Sequence, residues 1–119
     1  MKRRLPKGEE TLPITRVAGR MVTLEELRTR HPAEYSALIK TTILTVDDEL
    51  LIERFRRRMI QNRVLTIYRY QCKGEITCPV ALTPEEQLRH MEERTETGLE
   101  LLKAEMELLK EELKIIRGE

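Results

Sequence analysis

Between residues 83 and 117 the apolar positions fall at helical spacing, and they form two seams rather than one. Leu99, Leu102, Met106, Leu109, Leu113 and Ile116 follow one another in steps of three and four, the a/d pattern of a coiled coil. Leu101, Leu108 and Ile115 recur every seven residues, about 130° round the helix at about 100° per residue. Glu105 and Glu112 precede the first seam, while Lys103, Lys110 and Arg117 follow it, an order of charge that suits a parallel neighbour. Leaving these large apolar side chains in water would forfeit about 1.5–3 kcal/mol each. Both seams are therefore expected to be covered, one by the same chain and the other by a second subunit. The first seam is expected to be the one that carries oligomerisation. Thr83, Pro84 and Glu86 cap the helix, which is predicted to run unbroken to Arg117.

Upstream the pattern is shorter-ranged. Thr23 and Glu26 form a capping box that starts a short helix over residues 24–30. Pro32 opens a second helix, to residue 40, with Tyr35, Leu38 and Ile39 inward. Asp47 and Asp48 place negative charge at the start of a third, predicted from residue 48 to about residue 70 with Leu51, Ile52, Phe55 and Met59 inward. Residues 64–70 are rich in β-branched and aromatic side chains, so a strand competes there. Lys73 and Gly74 make a natural helix stop and favour the helix. Residues 1–19 lack helical periodicity and hold Pro6, Gly8 and Pro13, with one short extended stretch expected around residues 14–17.

The fold predicted is all-α: a short helical head, then a long helical hairpin with a coiled-coil-like C-terminal helix, in an oligomer. Its divisions are a flexible basic arm (residues 1–22), the head (23–46) and the hairpin oligomerisation domain (47–119). A chain of 119 residues has room for one modest domain beside this helix. Aromatic residues are 3% of the chain, with one Phe and no Trp, too few to enclose a small-molecule pocket. Glu outnumbers Asp, Arg outnumbers Lys and Asn62 is the sole asparagine, a bias that suits a thermophilic source.

The net charge of +1 conceals an asymmetry. Up to Lys73 there are 16 basic and 9 acidic residues; from Gly74 onward there are 6 and 12. A basic front and an acidic helical back point to nucleic acid at one end and protein at the other. Lys2, Arg3, Arg4 and Lys7 in the arm are candidate DNA contacts, together with Arg54, Arg57 and Arg58 in the dense cluster of the third helix. Those three arginines are expected to project away from the Leu51/Phe55/Met59 stripe. The competing reading pairs the cluster with acidic residues of the last helix on another subunit, such as Glu92 or Glu93. Phosphate binding is the form expected, since nothing here dictates a base-reading code.

Catalysis has no sequence support: there is no Gly-rich phosphate loop, no HExxH and no nucleophile beside a histidine. Cys72, Cys78, His31 and His90 lack zinc-site spacing, so neither metal nor cofactor is expected. Two cysteines make no disulfide framework, and no secretory signal or membrane span is evident, so the expected location is the cytoplasm.

The step Leu44-Thr45-Val46-Asp47-Asp48-Glu49-Leu50-Leu51 into a long basic helix, then Gly74 and a second long helix, resembles the small terminase subunits of tailed bacteriophages. The resemblance implies a ring oligomer in the host cytoplasm that binds viral double-stranded DNA for genome packaging. Such a ring hands the DNA to the ATP-driven large subunit and has no ATPase or nuclease site of its own. The alternative is a dimeric DNA-binding regulator with a trihelical head, a wing over residues 64–71 and 76–80, and a C-terminal zipper. A third is an adaptor with no nucleic-acid role.

Overall fold

The computed structural model describes Leu5 and residues 8–40, 46–73 and 76–118, with side chains outside residues 70–78. Five helices and two antiparallel β-hairpins are found among them, so the fold is mostly helical but not all-α. A 3-10 turn, Glu9–Thr11, leads into β1 (Pro13–Val17) and β2 (Arg20–Thr23). Their two-residue connection, Ala18 at φ 52° and Gly19 at φ 80°, has the left-handed pair of a type I′ turn. The extended stretch expected around residues 14–17 is thus one strand of a hairpin that buries Ile14 and Val22 in the core. Residues 13–22 belong to the body, not to an arm.

The capping box at Thr23 starts α1 (Leu24–Arg30), its Oγ1 accepting from the Glu26 amide, and α2 (Pro32–Lys40) follows as expected. Helix α3 (Asp48–Ile60) is capped by Asp47, whose carboxylate accepts from the Leu50 amide at 2.8 Å. Arg16 on β1 donates to the same carboxylate at 2.8 Å and pins the first hairpin to the start of α3. The step resembling terminases falls partly on residues 44 and 45, which lie outside the described residues.

The third helix stops about ten residues earlier than predicted. Asn62 at φ 55° turns the chain, and residues 67–73 form β3 (Ile67–Lys73), paired with β4 (Ile76–Leu82). The β-branched and aromatic run prevails because the segment after Gly74 provides a strand partner in register, Ile67 opposite Leu82. Pro79 is tolerated because a two-stranded ribbon has only edge strands. Cys72 is opposite Thr77 and Cys78 opposite Gln71, so the cysteines are not a cross-strand pair.

The final helix is also interrupted. Helix α4 (Pro84–Glu93) ends at Arg94 in the left-handed conformation, and Thr95 caps α5 (Glu96–Arg117) by accepting from the Gly98 amide at 3.0 Å. At Gly98 the two helices meet so closely that a Cβ would lie 1.9 Å from the His90 carbonyl oxygen. The long helical hairpin becomes a short one, α4 against α5.

A single core joins these elements. Leu50, Leu51, Ile52 and Phe55 of α3 pack with Leu24, Leu27 and Leu38 of the head, Met91 of α4, and Leu102, Leu109 and Leu113 of α5. The first seam is therefore largely intrachain core, which corrects its assignment to oligomerisation. Leu102, Leu109 and Leu113 are buried within one chain, and Met106 and Ile116 pack partly buried beside them. Leu99 alone of that seam is exposed, at 54%.

Candidate functional site

Helix α3 lies between β1, α4 and α5, so Arg54 and Arg58, on the flank of its apolar stripe that faces β1 and α5, meet protein, while Arg56 and Ile60 on the other side meet solvent. Arg54 is 0% exposed. Its Nη1 donates to the Pro13 carbonyl at 2.8 Å, its Nε to Glu105 Oε1 at 3.2 Å and its Nη2 to Glu112 Oε1 at 2.6 Å. Arg58, one turn on, donates from Nη1 to Glu105 Oε2 at 2.6 Å. Glu9 of the 3-10 turn completes the cluster: its Oε2 lies 3.7 Å from Arg54 and 3.6 Å from Arg58, and its Oε1 is ion-paired with Arg63. Arg57 donates to Glu53 and to the Thr11 carbonyl, holding the same turn from its exposed side.

These positions correct the reading of Arg54, Arg57 and Arg58 as DNA contacts projecting into solvent. Arg54 and Arg58 are interior cations, and Arg57 is engaged within the chain. Their acidic partners are on the last helix, as the competing reading has it, but they are Glu105 and Glu112 of the same chain. Lys2, Arg3, Arg4 and Lys7 lie outside the described residues.

The seam pattern held the signal for this cluster. Glu105 and Glu112 sit seven residues apart, between Leu101 and Leu108 on one flank and Leu102 and Leu109 on the other. The two seams are the margins of one broad inward face with two carboxylates along its middle. An acid framed on both sides by leucines at helical spacing is an interior acid, and it needs an interior cation.

Protons are distributed unevenly within the cluster. Burial pushes the Glu112 carboxyl up to about 8, and its hydrogen bond with Glu9 adds to the rise against the pull of Arg54. Burial also acts to raise Glu9, but the Glu112 hydrogen bond, Arg58 and Arg63 hold it below the ordinary carboxylate range. At neutral pH Glu112 is therefore the proton donor and Glu9 the acceptor. Burial opposes the charge on Arg58, yet Glu105, Glu9 and Glu112 hold its guanidinium above the usual range.

With Arg54, Arg57 and Arg58 engaged inside the chain, contacts with a partner fall to the rest of the surface. Setting aside Arg54, Arg58, Arg63 and Glu9, the chain up to Lys73 retains 13 basic and 8 acidic residues; without Glu105 and Glu112, the remainder has 6 and 10. The asymmetry shrinks but keeps its sign. Arg20 on β2 and Arg30 and Lys40 on the head are exposed. Tyr68 is 69% exposed on the β3–β4 ribbon, whose opposite face buries Leu82 and is fixed to α5 by Arg69 pairing with Glu100 at 2.6 Å.

On α5, Leu99 and Leu108 are 54% and 49% exposed. Nine residues at about 100° each place them on opposite shoulders of the helix, about 180° apart. A groove of about 360 Å³ between α3 and α4 is lined by Glu49, Glu53, Arg56, Glu92 and Arg94 among others. Its arginines are paired with Glu53, Glu92 and Asp48, which leaves no polar group converging on a small ligand. Among the described residues no group of three or more His, Cys, Asp or Glu could hold a metal ion, and no helix is long and apolar enough to cross a membrane. No family model matches the chain, and neither does any curated protein or solved structure.

Proposed function

We propose that the chain is a non-enzymatic DNA-binding subunit that self-associates head to tail through α5. This is the role of a small terminase subunit that presents viral double-stranded DNA to a packaging motor. The observation that carries the reading is the placement of Leu99 and Leu108 on opposite shoulders of one helix. A two-fold dimer uses one patch twice, whereas a ring joins two different patches. The basic arm and the exposed cations of the head supply the phosphate contacts, and the acidic α5 stays with protein.

The regulator reading is favoured by one feature, the β3–β4 ribbon in the position of a wing. It is weakened by another: α3, the helix of the proposed trihelical head richest in arginine, buries Arg54 and Arg58 and leaves Glu49, Glu53, Arg56 and Ile60 on its open face, a mixed stripe poorly suited to a groove lined by phosphates.

Mass in solution separates the two. In a ring, Leu99→Lys and Leu108→Lys each reduce the assembly to monomer by light scattering, and mixing the two variants restores a heterodimer through the one intact contact. In a two-fold dimer built on Leu108, Leu99→Lys keeps the wild-type mass and mixing restores nothing. A wild-type monomer at all concentrations would remove both readings and leave the adaptor.

A further inference from the structure

We propose that the Glu9–Glu112 carboxyl pair is a proton-operated latch, which fastens residues 8–12 to the body and releases them when the pair loses its shared proton. The pair converges on one group: Arg54 Nη2 lies 2.6 Å from Glu112 Oε1 and 3.7 Å from Glu9 Oε2. Both side chains are under 10% exposed, and Glu9 Oε2 is enclosed without a donor from any cation at hydrogen-bond distance. A proton on Glu112 is the donor available to that oxygen. Two ionised carboxylates converging on one guanidinium nitrogen, out of water, repel each other.

The surrounding charges decide which side yields. From α3, Arg54 and Arg58 face the pair; from α5, Glu105 stands beside Glu112; from the connector, Arg63 holds the far oxygen of Glu9; from β1, only the Pro13 carbonyl faces Arg54. Three arginines and three glutamates then balance when Glu112 ionises, so the cluster as a whole has no reason to burst. Glu112 is fixed near the end of a 22-residue helix whose flanking Leu109 and Leu113 are core. Glu9 is on a three-residue turn closed by two backbone bonds, Thr11 N–H to Gly8 O at 3.2 Å and Leu12 N–H to Glu9 O at 3.1 Å. The turn is held further by Arg28 of α1 pairing with Glu10 at 3.3 Å, by Arg57 donating to the Thr11 carbonyl at 3.2 Å and by Gln61 donating to Thr11 Oγ1 at 2.6 Å, with Leu12 buried beneath it. A short turn tied by such edge contacts still opens before a helix embedded in the core.

Amide hydrogen exchange at Thr11 and Leu12, corrected at each pH for intrinsic exchange, tests the latch with no DNA present. One proton is released per opening, so protection should fall by up to about tenfold per pH unit as the pH rises from the ordinary carboxyl range, and level off above the Glu112 midpoint. Protection within α5 should not follow. In Glu112→Gln the neutral donor is permanent, and the pH slope at Thr11 and Leu12 should vanish. Glu9→Gln removes the other carboxylate and should abolish the slope as well, which provides a second variant if the first does not fold. A wild-type slope of zero, or an unchanged slope in either folded variant, overturns the proposal.

Discussion

Arg54 and Glu112, 58 positions apart in the chain, are joined by a 2.6 Å charge-assisted hydrogen bond in the interior. That bond and its neighbours fasten α3 to α5 and bring the N-terminal turn to both. A buried ion pair adds little when compared with an apolar pair of the same shape, but removing one member strands the other.

Arg54→Ala should therefore cost about 3–5 kcal/mol, since it leaves Glu105 and Glu112 without their shared cation. Arg54→Lys should recover little of this, because one ammonium cannot reach Pro13 O, Glu105 and Glu112 in the fork geometry of a guanidinium. Urea denaturation of the two variants checks both statements. A loss under about 1 kcal/mol for the alanine variant, the value of an exposed ion pair, would place Arg54 at the surface.

Stability should fall as the pH rises from about 5 to about 8. The Glu112 carboxyl is raised from 4.5 to about 8, so the folded chain binds a proton that the unfolded chain releases. Its contribution is complete below the ordinary carboxyl range and is gone by about pH 8. Glu9, held below its ordinary value, has the opposite sign: its contribution is present above the ordinary range and disappears in acid. Urea midpoints across this range should show a maximum on the acid side of neutrality. A midpoint rising steadily to about pH 8 would contradict the proton assignment.

Gly98→Ala should destabilise by at least about 1–3 kcal/mol, because the new methyl meets a backbone carbonyl rather than a side chain that can swing aside. Thermal melting measures the effect. Unchanged melting would mean that α4 and α5 do not cross at this point.

Leu109→Ala and Leu108→Ala should behave differently although they are adjacent. The first opens a cavity in a fully buried site and should cost about 2–5 kcal/mol by chemical denaturation, with assembly impaired only through the weakened fold. The second should leave the fold nearly intact and weaken association by light scattering. Equal reductions in stability would return both leucines to one environment.

Much of the helical frame was legible. The caps at Thr23, Asp47 and Thr83 act locally, and each is found where the side-chain pattern puts it. The errors fell where tertiary partners decide. A strand over residues 67–73 needs its partner across Gly74, and no local pattern weighs that pairing. The first hairpin turns on Ala18-Gly19, with an alanine at the left-handed position where the usual signal has Asn, Asp or Gly. The break at Arg94 is a left-handed residue followed by the Thr95 cap, and the Gly98 that lets the two helices meet closely carries no weight in a period count. The DNA candidates Arg54 and Arg58 look external when the apolar stripe is read as the only buried face of α3. Two carboxylates between leucines on α5 show that a second, ionic face of α3 is buried as well.

If the basic front binds duplex DNA through phosphates, without the buried arginines, its affinity must depend on salt. Duplex affinity should be measured from low to physiological salt for the wild type and for a variant with Lys2, Arg3, Arg4 and Lys7 changed to Ala, with mass checked alongside. Each phosphate-bound cation removed should lower the slope of log affinity against log salt by about 0.9, so up to about 3.6 for all four. The variant should bind more weakly, with a flatter slope, at unchanged mass. No salt-sensitive duplex binding by the wild type, or identical slopes for the two proteins, would contradict phosphate binding by the basic front.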